Sequence, residues 1–402
     1  MPSQNETGLE YTWRWFGPND PVSLKEIKQT GATGIVTALH QIPVGEVWPV
    51  EEILKRKQMI EAEDLRWSVV ESIPVHEDIK KRDNNYKKYI ENYKQSIRNL
   101  SHFGIGRVCY NFMPVLDWSR TELNVQFKDG TFTSKFELKS MAAFDMYILK
   151  RKGAENDYND NIKDKAQKFF NSLNEHGKKK LISTILLGLP GSNEAYTLDE
   201  FRKAIAVYQD ISEADLLKNL QEFIKEIVQT AEESGILLGI HPDDPPRSLL
   251  GLPRVVGNKE NLQKILDASD SLNNGLTFCT GSLGAGYKND PVDIAKSFSE
   301  RINFVHLRNL NRNADGDFIE VAHLEGDIDI YGVMKVLVEE QINRFNKGRK
   351  DTHIPMRPDH GLLMLDDRKK KSIYPGYSLY GRMKGLAELR GLETGIRFSL
   401  KH

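Results

Sequence analysis

The chain has 402 residues, enough for one large decorated domain or two ordinary ones, and its 39% hydrophobic and 28% charged residues are typical of a soluble globular protein. The 56 basic and 57 acidic residues cancel to a formal net charge of −1, so charge gives no reason to expect nucleic acid or an anionic membrane as a partner. The sequence has no apolar stretch of about 18 residues for a membrane span, no secretory signal is expected, and its two cysteines exclude a disulfide scaffold and are typical of a cytoplasmic protein.

Eight short β-rich runs follow one another along the chain, and a segment with helical periodicity separates most of them. The runs lie near Tyr11–Phe16, Thr33–Ala38, Trp67–Glu71, Arg107–Phe112, Ile236–His241, Leu276–Cys279, Asn303–Arg308 and His353–Arg357. Strands that alternate with helices predict an α/β fold with a parallel sheet, and eight of them suggest closure into a (β/α)8 barrel. We therefore expect residues 1–402 to form a single barrel domain.

The clearest helix–strand unit runs from Ser212 to His241. Ser212 and Asp215 resemble a capping box, although Asp replaces the usual Glu or Gln. An apolar stripe at helical spacing follows, formed by Leu216, Leu220, Phe223, Ile224, Ile227 and Val228. Ser234-Gly235 ends the predicted helix, and the apolar run after it is typical of a parallel strand that is buried on both faces.

Two segments interrupt this alternation. Residues 118–211 contain helical pieces, including a capping box at Thr197–Glu200, and no convincing pair of strands. We expect a mostly helical insertion after strand 4, near the C-terminal mouth of the barrel. A second excursion, Asn311–Asp329, follows strand 7.

Each of the last four predicted strands ends in a residue that can bind a metal ion, namely His241, Cys279, His306 and Asp359. Successive members are 38, 27 and 53 residues apart, and each gap is long enough for a helical crossover that returns to the same side of a parallel sheet. Two imidazoles, a thiolate and a carboxylate suit Fe²⁺, Zn²⁺ or Mn²⁺ and do not suit Mg²⁺ or Ca²⁺. Since four protein ligands would close a tetrahedral Zn²⁺ site, Mn²⁺ and Fe²⁺ rank above Zn²⁺.

Residues next to these candidate ligands have the chemistry of a substrate site. Arg308 and Arg357 each lie two residues from a ligand, so their side chains can share its face of the strand. Either arginine can hold a substrate carboxylate bidentately, or it can pair with an acid on a neighbouring strand. His360 follows the last strand, where a general acid or base would be useful. The alternative for any single histidine or cysteine here is a satisfied core residue.

Long motifs resemble those of the mannonate dehydratase family, and the resemblance covers nearly the whole chain. The motifs are Thr12–Asp20, Ala32–His40, Val69–Ser72, Cys109–Trp118, His241–Pro246, Arg357–Gly361 and Pro375–Ser378. The resemblance implies a TIM barrel of the xylose-isomerase-like type and the dehydration of D-mannonate to 2-dehydro-3-deoxy-D-gluconate in glucuronate catabolism. It also implies one Mn²⁺ or Fe²⁺ per chain on the four ligands above, and a homo-oligomer is expected.

The same resemblance assigns the proton transfers to His360 and Tyr377, with a share for Asp359. Tyr374 and Tyr380 remain alternatives to Tyr377, because the loop after His360 varies in length within that family. Which residue is the base and which is the acid stays open.

Polar residues at the ends of strands 2, 3 and 4, which are His40, Glu71 and Asn111, are expected to contact the polyol. Two rival interpretations remain. A metal-dependent sugar isomerase or epimerase would give a different product, and a non-catalytic sugar-acid-binding protein would differ in its metal content.

Overall fold

The structure, a computed structural model, describes residues 2–187 and 196–401, and β-strands occur along both parts. The strands are β1 Glu10–Arg14, β2 Gly34–Thr37, β3 Arg66–Glu71, β4 Arg107–Tyr110, β5 Glu122–Gln126, β6 Phe132–Phe136, β7 Leu237–Ile240, β8 Asn274–Cys279, β9 Ile302–Leu307, β10 Asn309–Arg312, β11 Phe318–Val321 and β12 Pro355–Pro358. Eight of these described strands form a closed parallel barrel in the order β1-β12-β9-β8-β7-β4-β3-β2. The predicted (β/α)8 barrel is confirmed, and each predicted run overlaps one barrel strand.

Helices connect the barrel strands and cover the outside of the barrel. They are α1 Gln4–Thr7, α2 Leu24–Gln29, α3 Val50–Glu61, α4 Glu77–Lys81, α5 Tyr86–Ser101, α6 Leu138–Ala143, α7 Asp160–Ser172, α8 Glu175–Ile185, α9 Leu198–Ala206, α10 Glu213–Glu233, α11 Lys259–Leu266, α12 Thr280–Ala285, α13 Pro291–Phe298, α14 Ile330–Asn346 and α15 Leu379–Ser399. Within residues 2–187 and 196–401, none of them has the length and apolar character that a membrane span requires.

Helix α10 forms as its sequence predicts. The Ser212 side chain accepts from the Asp215 N–H, and the Asp215 carboxylate accepts from the Ser212 N–H at 3.0 Å, so the capping box is complete. Gly235, with φ of +63°, turns the chain out of the helix toward β7. The stripe from Leu216 to Ile227 is buried against the barrel, and Phe223 packs edge-on against Tyr93 of α5.

The prediction that residues 118–211 contain no strand pair is wrong. Strands β5 and β6 form an antiparallel hairpin at the start of this segment, and β6 also pairs with β11. The result is a second sheet with the order β10-β11-β6-β5. The hairpin escaped detection because β5 is mostly polar and an isolated two-stranded hairpin is barely stable in water, so its formation depends on distant partners. After the hairpin the described part of the segment is helical, from α6 to α9.

The strand register brings the ends of neighbouring barrel strands to the same level. Cys279 of β8 is opposite His306 of β9, and His306 is opposite Arg357 of β12. Because all barrel strands run parallel, residues at these C-terminal ends face one mouth. This mouth holds the candidate site, and the second sheet begins directly after β9.

Candidate active site

His241, Cys279 and His306 form a compact group at the mouth of the barrel. One ligand atom of each side chain lies within 4.8 Å of the other two. Cys279 and His306 are fully buried, whereas His241, immediately after β7, is partly buried. His241 Nδ1 lies 2.6 Å from the Pro242 carbonyl oxygen, which assigns the proton to Nδ1 and leaves the lone pair on Nε2. Burial lowers the pKa of His241, and this also favours the neutral imidazole that a metal ligand must be.

The separations between candidate ligand atoms, including those of Asp359, fit a single divalent transition-metal ion. His241 Nε2 lies 3.2 Å from His306 Nδ1, and Cys279 Sγ lies 3.6 Å from Asp359 Oδ2. Two ligands of one ion at bond lengths of about 2.0–2.3 Å are themselves roughly 3–4 Å apart. His306 Nε2 is buried without a hydrogen-bond partner; the Glu71 carboxylate is 3.4 Å away but outside hydrogen-bond geometry. A buried imidazole grouped with a second imidazole and a thiol is the donor chemistry of a metal site.

Asp359 borders this group through Cys279 and does not belong to the set of atoms that all lie within 4.8 Å of one another. It follows β12 directly and is buried. Burial by itself would raise the pKa of the Asp359 carboxyl, but neighbouring positive charges, led by Arg357, outweigh it and hold the pKa well below its ordinary value. The carboxylate is therefore charged, as a metal ligand requires. The assignment of all four residues as ligands stays a prediction.

Arg308 and Arg357 form ion pairs with acidic side chains of the protein. Arg308 Nη2 donates to Asp244 Oδ2 at 2.9 Å, and its Nη1 lies 3.2 Å from Asp359 Oδ2. Arg357 Nη2 donates to Glu71 Oε1 at 2.9 Å. These contacts correspond to the alternative in which each arginine pairs with an acid from another strand. Binding of a substrate carboxylate by either one stays a prediction.

Glu71 is the last residue of β3, and His40 and Asn111 follow the ends of β2 and β4 at the same mouth. His40 Nε2 is 3.3 Å from an Arg14 nitrogen, and His40 Nδ1 is buried without a partner. Burial and the charge of Arg14 lower the pKa of His40 to about 3, so this imidazole is neutral. Asn111 is partly buried and interacts with the Asp117 carboxylate. Their contact with substrate stays a prediction.

His360 lies beside the ligand group and is bound on its other side by Glu320. Its Nδ1 is 2.8 Å from Glu320 Oε2 and 2.9 Å from Oε1. The opposite nitrogen, Nε2, is 3.9 Å from Asp359 Oδ1 and therefore lies on the side of the candidate ligands. Trp118 contacts the imidazole edge-on, with ring centroids 6.3 Å apart. A buried histidine with one nitrogen fixed and the other facing a site can transfer a proton there.

Tyr377 packs directly against His360, with ring centroids 5.1 Å apart at 71°. Burial raises the pKa of Tyr377 to about 12, so its phenol keeps its proton at neutral pH. Of the two alternatives, Tyr374 packs on Phe16, with ring centroids 4.7 Å apart. Tyr380 is the second residue of α15, and its N–H donates to the Asp367 carboxylate. The described ring contacts place Tyr377 next to the imidazole.

Sequence reasoning missed the polar residues behind His360. Arg120 Nη1 donates to Asp244 Oδ1 at 2.8 Å, and Arg120 Nε donates to Glu320 Oε1 at 3.1 Å. All three side chains are buried, and Arg308 joins them through Asp244. The sequence carries no local signal for this group, because apolar residues occupy both alternating faces of β11, and only in the structure are Phe318 and Glu320 buried while Ile319 and Val321 are half-buried. A buried acid of this kind requires a buried partner.

Comparison with known proteins identifies relatives over nearly the whole chain. The family model for D-mannonate dehydratase matches residues 9–401. A mannonate dehydratase from Marinomonas sp. (strain MWYL1) is 53% identical over 393 residues, covering 98% of this chain and 100% of the relative.

Solved structures agree with the sequence comparisons. The crystal structure of a mannonate dehydratase from Streptococcus suis serotype 2 is 38% identical with a TM-score of 0.76, and the match covers 98% of this chain and 95% of that one. A xylose isomerase-like TIM barrel protein from Mycobacterium smegmatis is similar at a TM-score of 0.50 and 13% identity, over 98% of this chain and 99% of that chain. The second likeness concerns the fold alone.

Proposed function

Because the chain belongs to the D-mannonate dehydratase family, a family of hydro-lyases, we propose that it removes water from D-mannonate and releases 2-dehydro-3-deoxy-D-gluconate. The observation that supports this most directly is the group of His241, Cys279 and His306 at the ends of consecutive barrel strands, with two candidate proton-transfer residues beside it. The reaction belongs to glucuronate catabolism in the cytoplasm. Both cysteines are free thiols, which suits a reducing compartment.

The reaction requires one divalent ion per chain. The residues that would hold it are His241, Cys279, His306 and Asp359. When bound, Mn²⁺ or Fe²⁺ supplies stabilisation of the negative charge that develops on the substrate carboxylate as C2 loses its proton. We rank these two ions above Zn²⁺ because substrate binding needs coordination positions beyond four protein ligands.

His360 acts as the base in this proposal. Its Nδ1–H donates to Glu320, so the lone pair of Nε2 is free on the side of the candidate ligands and accepts the proton from C2. Tyr377 acts as the acid. Its phenol, with a pKa raised to about 12 by burial, is protonated at neutral pH and donates its proton to the hydroxyl that leaves C3. The resulting enol becomes the 2-keto acid when its hydroxyl proton is replaced by a proton at C3.

The substrate is held by polar side chains around the mouth. We propose that His40, Glu71 and Asn111 bind hydroxyl groups, and that Arg357 and Arg308 orient the carboxylate. The unpartnered Nδ1 of His40 is one hydrogen-bonding atom that the protein leaves unsatisfied at this position.

The first test is turnover of D-mannonate by metal-stripped protein with and without Mn²⁺ or Fe²⁺, following the 2-keto-3-deoxy acid. Product that depends on added metal supports the proposal. Bound metal at about one ion per chain without product would rule out D-mannonate as the substrate. An epimer or isomer in place of the keto acid would indicate the rival class of sugar isomerases and epimerases.

Variants test the two proton-transfer residues. His360→Asn and Tyr377→Phe should each lower kcat by about 10²–10⁴-fold with metal content unchanged, the range for loss of one general acid or base. Tyr374→Phe is the matched control, because Tyr374 and Tyr377 both pack against the Phe16 ring. Loss of the Tyr374 hydroxyl should change kcat by less than about threefold. Near-normal turnover of Tyr377→Phe together with loss in Tyr374→Phe would transfer the role to Tyr374.

A further inference from the structure

We propose that Glu320 is a positioning residue for His360, and that the second sheet holds Glu320 in place for this purpose. Glu320 accepts a hydrogen bond from Nδ1–H of His360 and thereby keeps the lone pair on Nε2, where the substrate is bound. The inference rests on the proposed function, in which His360 transfers a proton. It extends that function to a residue outside the barrel strands.

The geometry around Glu320 leaves its carboxylate little freedom. The residue is 3% exposed, and both carboxylate oxygens lie within 2.9 Å of His360 Nδ1. Arg120 Nε donates to Oε1 at 3.1 Å, and Arg308 Nη1 lies 3.5 Å from the same oxygen. Burial would raise the pKa of the Glu320 carboxyl, but its hydrogen bond with His360 and the charges of Arg120 and Arg308 lower the pKa to about 2. Glu320 is therefore an acceptor and not a donor at any physiological pH.

The hydrogen-bond network also assigns the tautomer of His360. Arg308 Nη1 lies 3.0 Å from His360 Nδ1, and one nitrogen cannot both accept from Arg308 and donate to Glu320. Glu320 has no proton to donate, and Arg308 Nη1 has another acceptor in Asp359 Oδ2 at 3.2 Å. The proton therefore lies on Nδ1 and points to Glu320.

The second sheet places Glu320. The residue lies in β11, which follows β9 of the barrel through β10 and pairs on its other side with β6. Thr133 of β6 donates its hydroxyl to the Glu320 carbonyl oxygen at 3.0 Å. Arg120, which binds the carboxylate, precedes β5 in the same insertion. The start of the 118–211 segment thus supplies both the neighbouring strand and the cation that hold Glu320 against His360.

Glu320→Gln is the informative substitution because it keeps the size of the side chain. The Arg120 donors will attract the single amide oxygen of the glutamine, so the NH₂ group faces His360 Nδ1. That nitrogen must then accept, and the imidazole proton moves to Nε2, where it blocks proton abstraction. We expect kcat to fall by about 10²–10⁴-fold with KM changed less than about threefold and metal content unchanged. Glu320→Asp, which keeps the charge on a shorter arm, should recover at least about tenfold of this loss.

Two further variants separate positioning from folding. Glu325→Gln removes an exposed acid four residues from the end of β11, whose partner Lys384 is 3.7 Å away, and should behave as wild type. In a His360→Asn background, Glu320→Gln should cause no additional loss of kcat, because its effect passes through the imidazole.

The outcomes are distinct for the inference and for the proposed function. Absence of product from the wild-type holoenzyme would overturn the proposed function itself. With an active wild type, near-normal kcat in Glu320→Gln, or a loss that adds fully to that of His360→Asn, would overturn the positioning role alone. If Glu320→Gln does not fold, Glu320→Asp in both backgrounds decides by the same criterion of additivity.

Discussion

Replacing Arg120 by methionine should substantially lower the free energy of unfolding of the protein. The Arg120 side chain is fully buried and donates to both Asp244 and Glu320. It also packs over the Trp118 and Phe318 rings, at 4.7 and 4.8 Å from their centroids. Methionine retains most of this packing but leaves two buried carboxylates to share Arg308. Breaking a buried ion pair from one side costs about 3–5 kcal/mol, and we expect a loss of that size in the free energy of unfolding.

The assay is urea denaturation followed by tryptophan fluorescence, with the midpoint compared between wild type and variant. A double variant, Arg120→Met with Asp244→Asn, removes the charge that the single variant leaves unpaired, and it should be more stable than Arg120→Met alone. Lys264→Met, which removes an exposed i,i+4 partner of Glu260, should leave the midpoint unchanged. A loss below about 1 kcal/mol for Arg120→Met, or a double variant less stable than the single, would refute the electrostatic reasoning.

The effect of Arg120→Met should also depend on pH. Burial raises the pKa of the Glu320 carboxyl, but its interactions with His360 and the arginines outweigh burial and lower the pKa from an ordinary 4.5 to about 2. A lowered pKa in the folded state contributes stability above about pH 4.5 that is lost as the pH falls toward 2. The difference in unfolding free energy between wild type and variant should therefore shrink over this interval. A difference that stays constant from pH 6 down to the lowest pH at which both proteins fold would contradict this account.

Two further variants test the metal site and the placement of the imidazole. Cys279→Ser should weaken metal binding by at least about tenfold, measured as the metal retained per chain after dialysis. Cys109→Ala, at the other buried cysteine, should retain as much metal as the wild type. Equal metal retention in the two variants would remove Cys279 from the ligand set. Gly376→Ala should lower kcat by at least about tenfold without loss of metal, because Gly376 has φ of +81° and a Cβ there would lie 2.7 Å from His360 Cγ. Gly391→Ala, on an open face of α15, is its control, and unchanged kcat in Gly376→Ala would show that the imidazole tolerates displacement.

The barrel and the positions of the candidate ligands could be read from the sequence because the signals for both are local. Apolar runs separated by helical stripes mark strands and helices within about 30 residues of chain. A parallel arrangement then places all C-terminal strand ends at one mouth, which predicts that His241, Cys279 and His306 meet there. Family resemblance added Tyr377, whose position in a turn indicates nothing by itself.

Other features depended on pairing between distant segments. The hairpin of β5 and β6 has a weak strand pattern, and its partner β11 lies in another excursion of the chain. The pairing of Arg308 and Arg357 with acids was one of two open alternatives in the sequence, because residue spacing along a strand gives the direction of a side chain and not its partner. Local patterns do not encode which strands meet across an interval of this length.

Short-range periodicity therefore predicts the order of strands and helices and the closed barrel, and the residue types at the strand ends predict the candidate ligands. The surroundings of His360 follow only from the folded chain. Arg120 and Glu320 are 200 residues apart in sequence and meet because two excursions of the chain pair as one sheet beside the barrel. Their contact forms only in the folded chain. A buried charge without a partner is strongly destabilising there, so Arg120 and Glu320 are stable in the interior only as a pair.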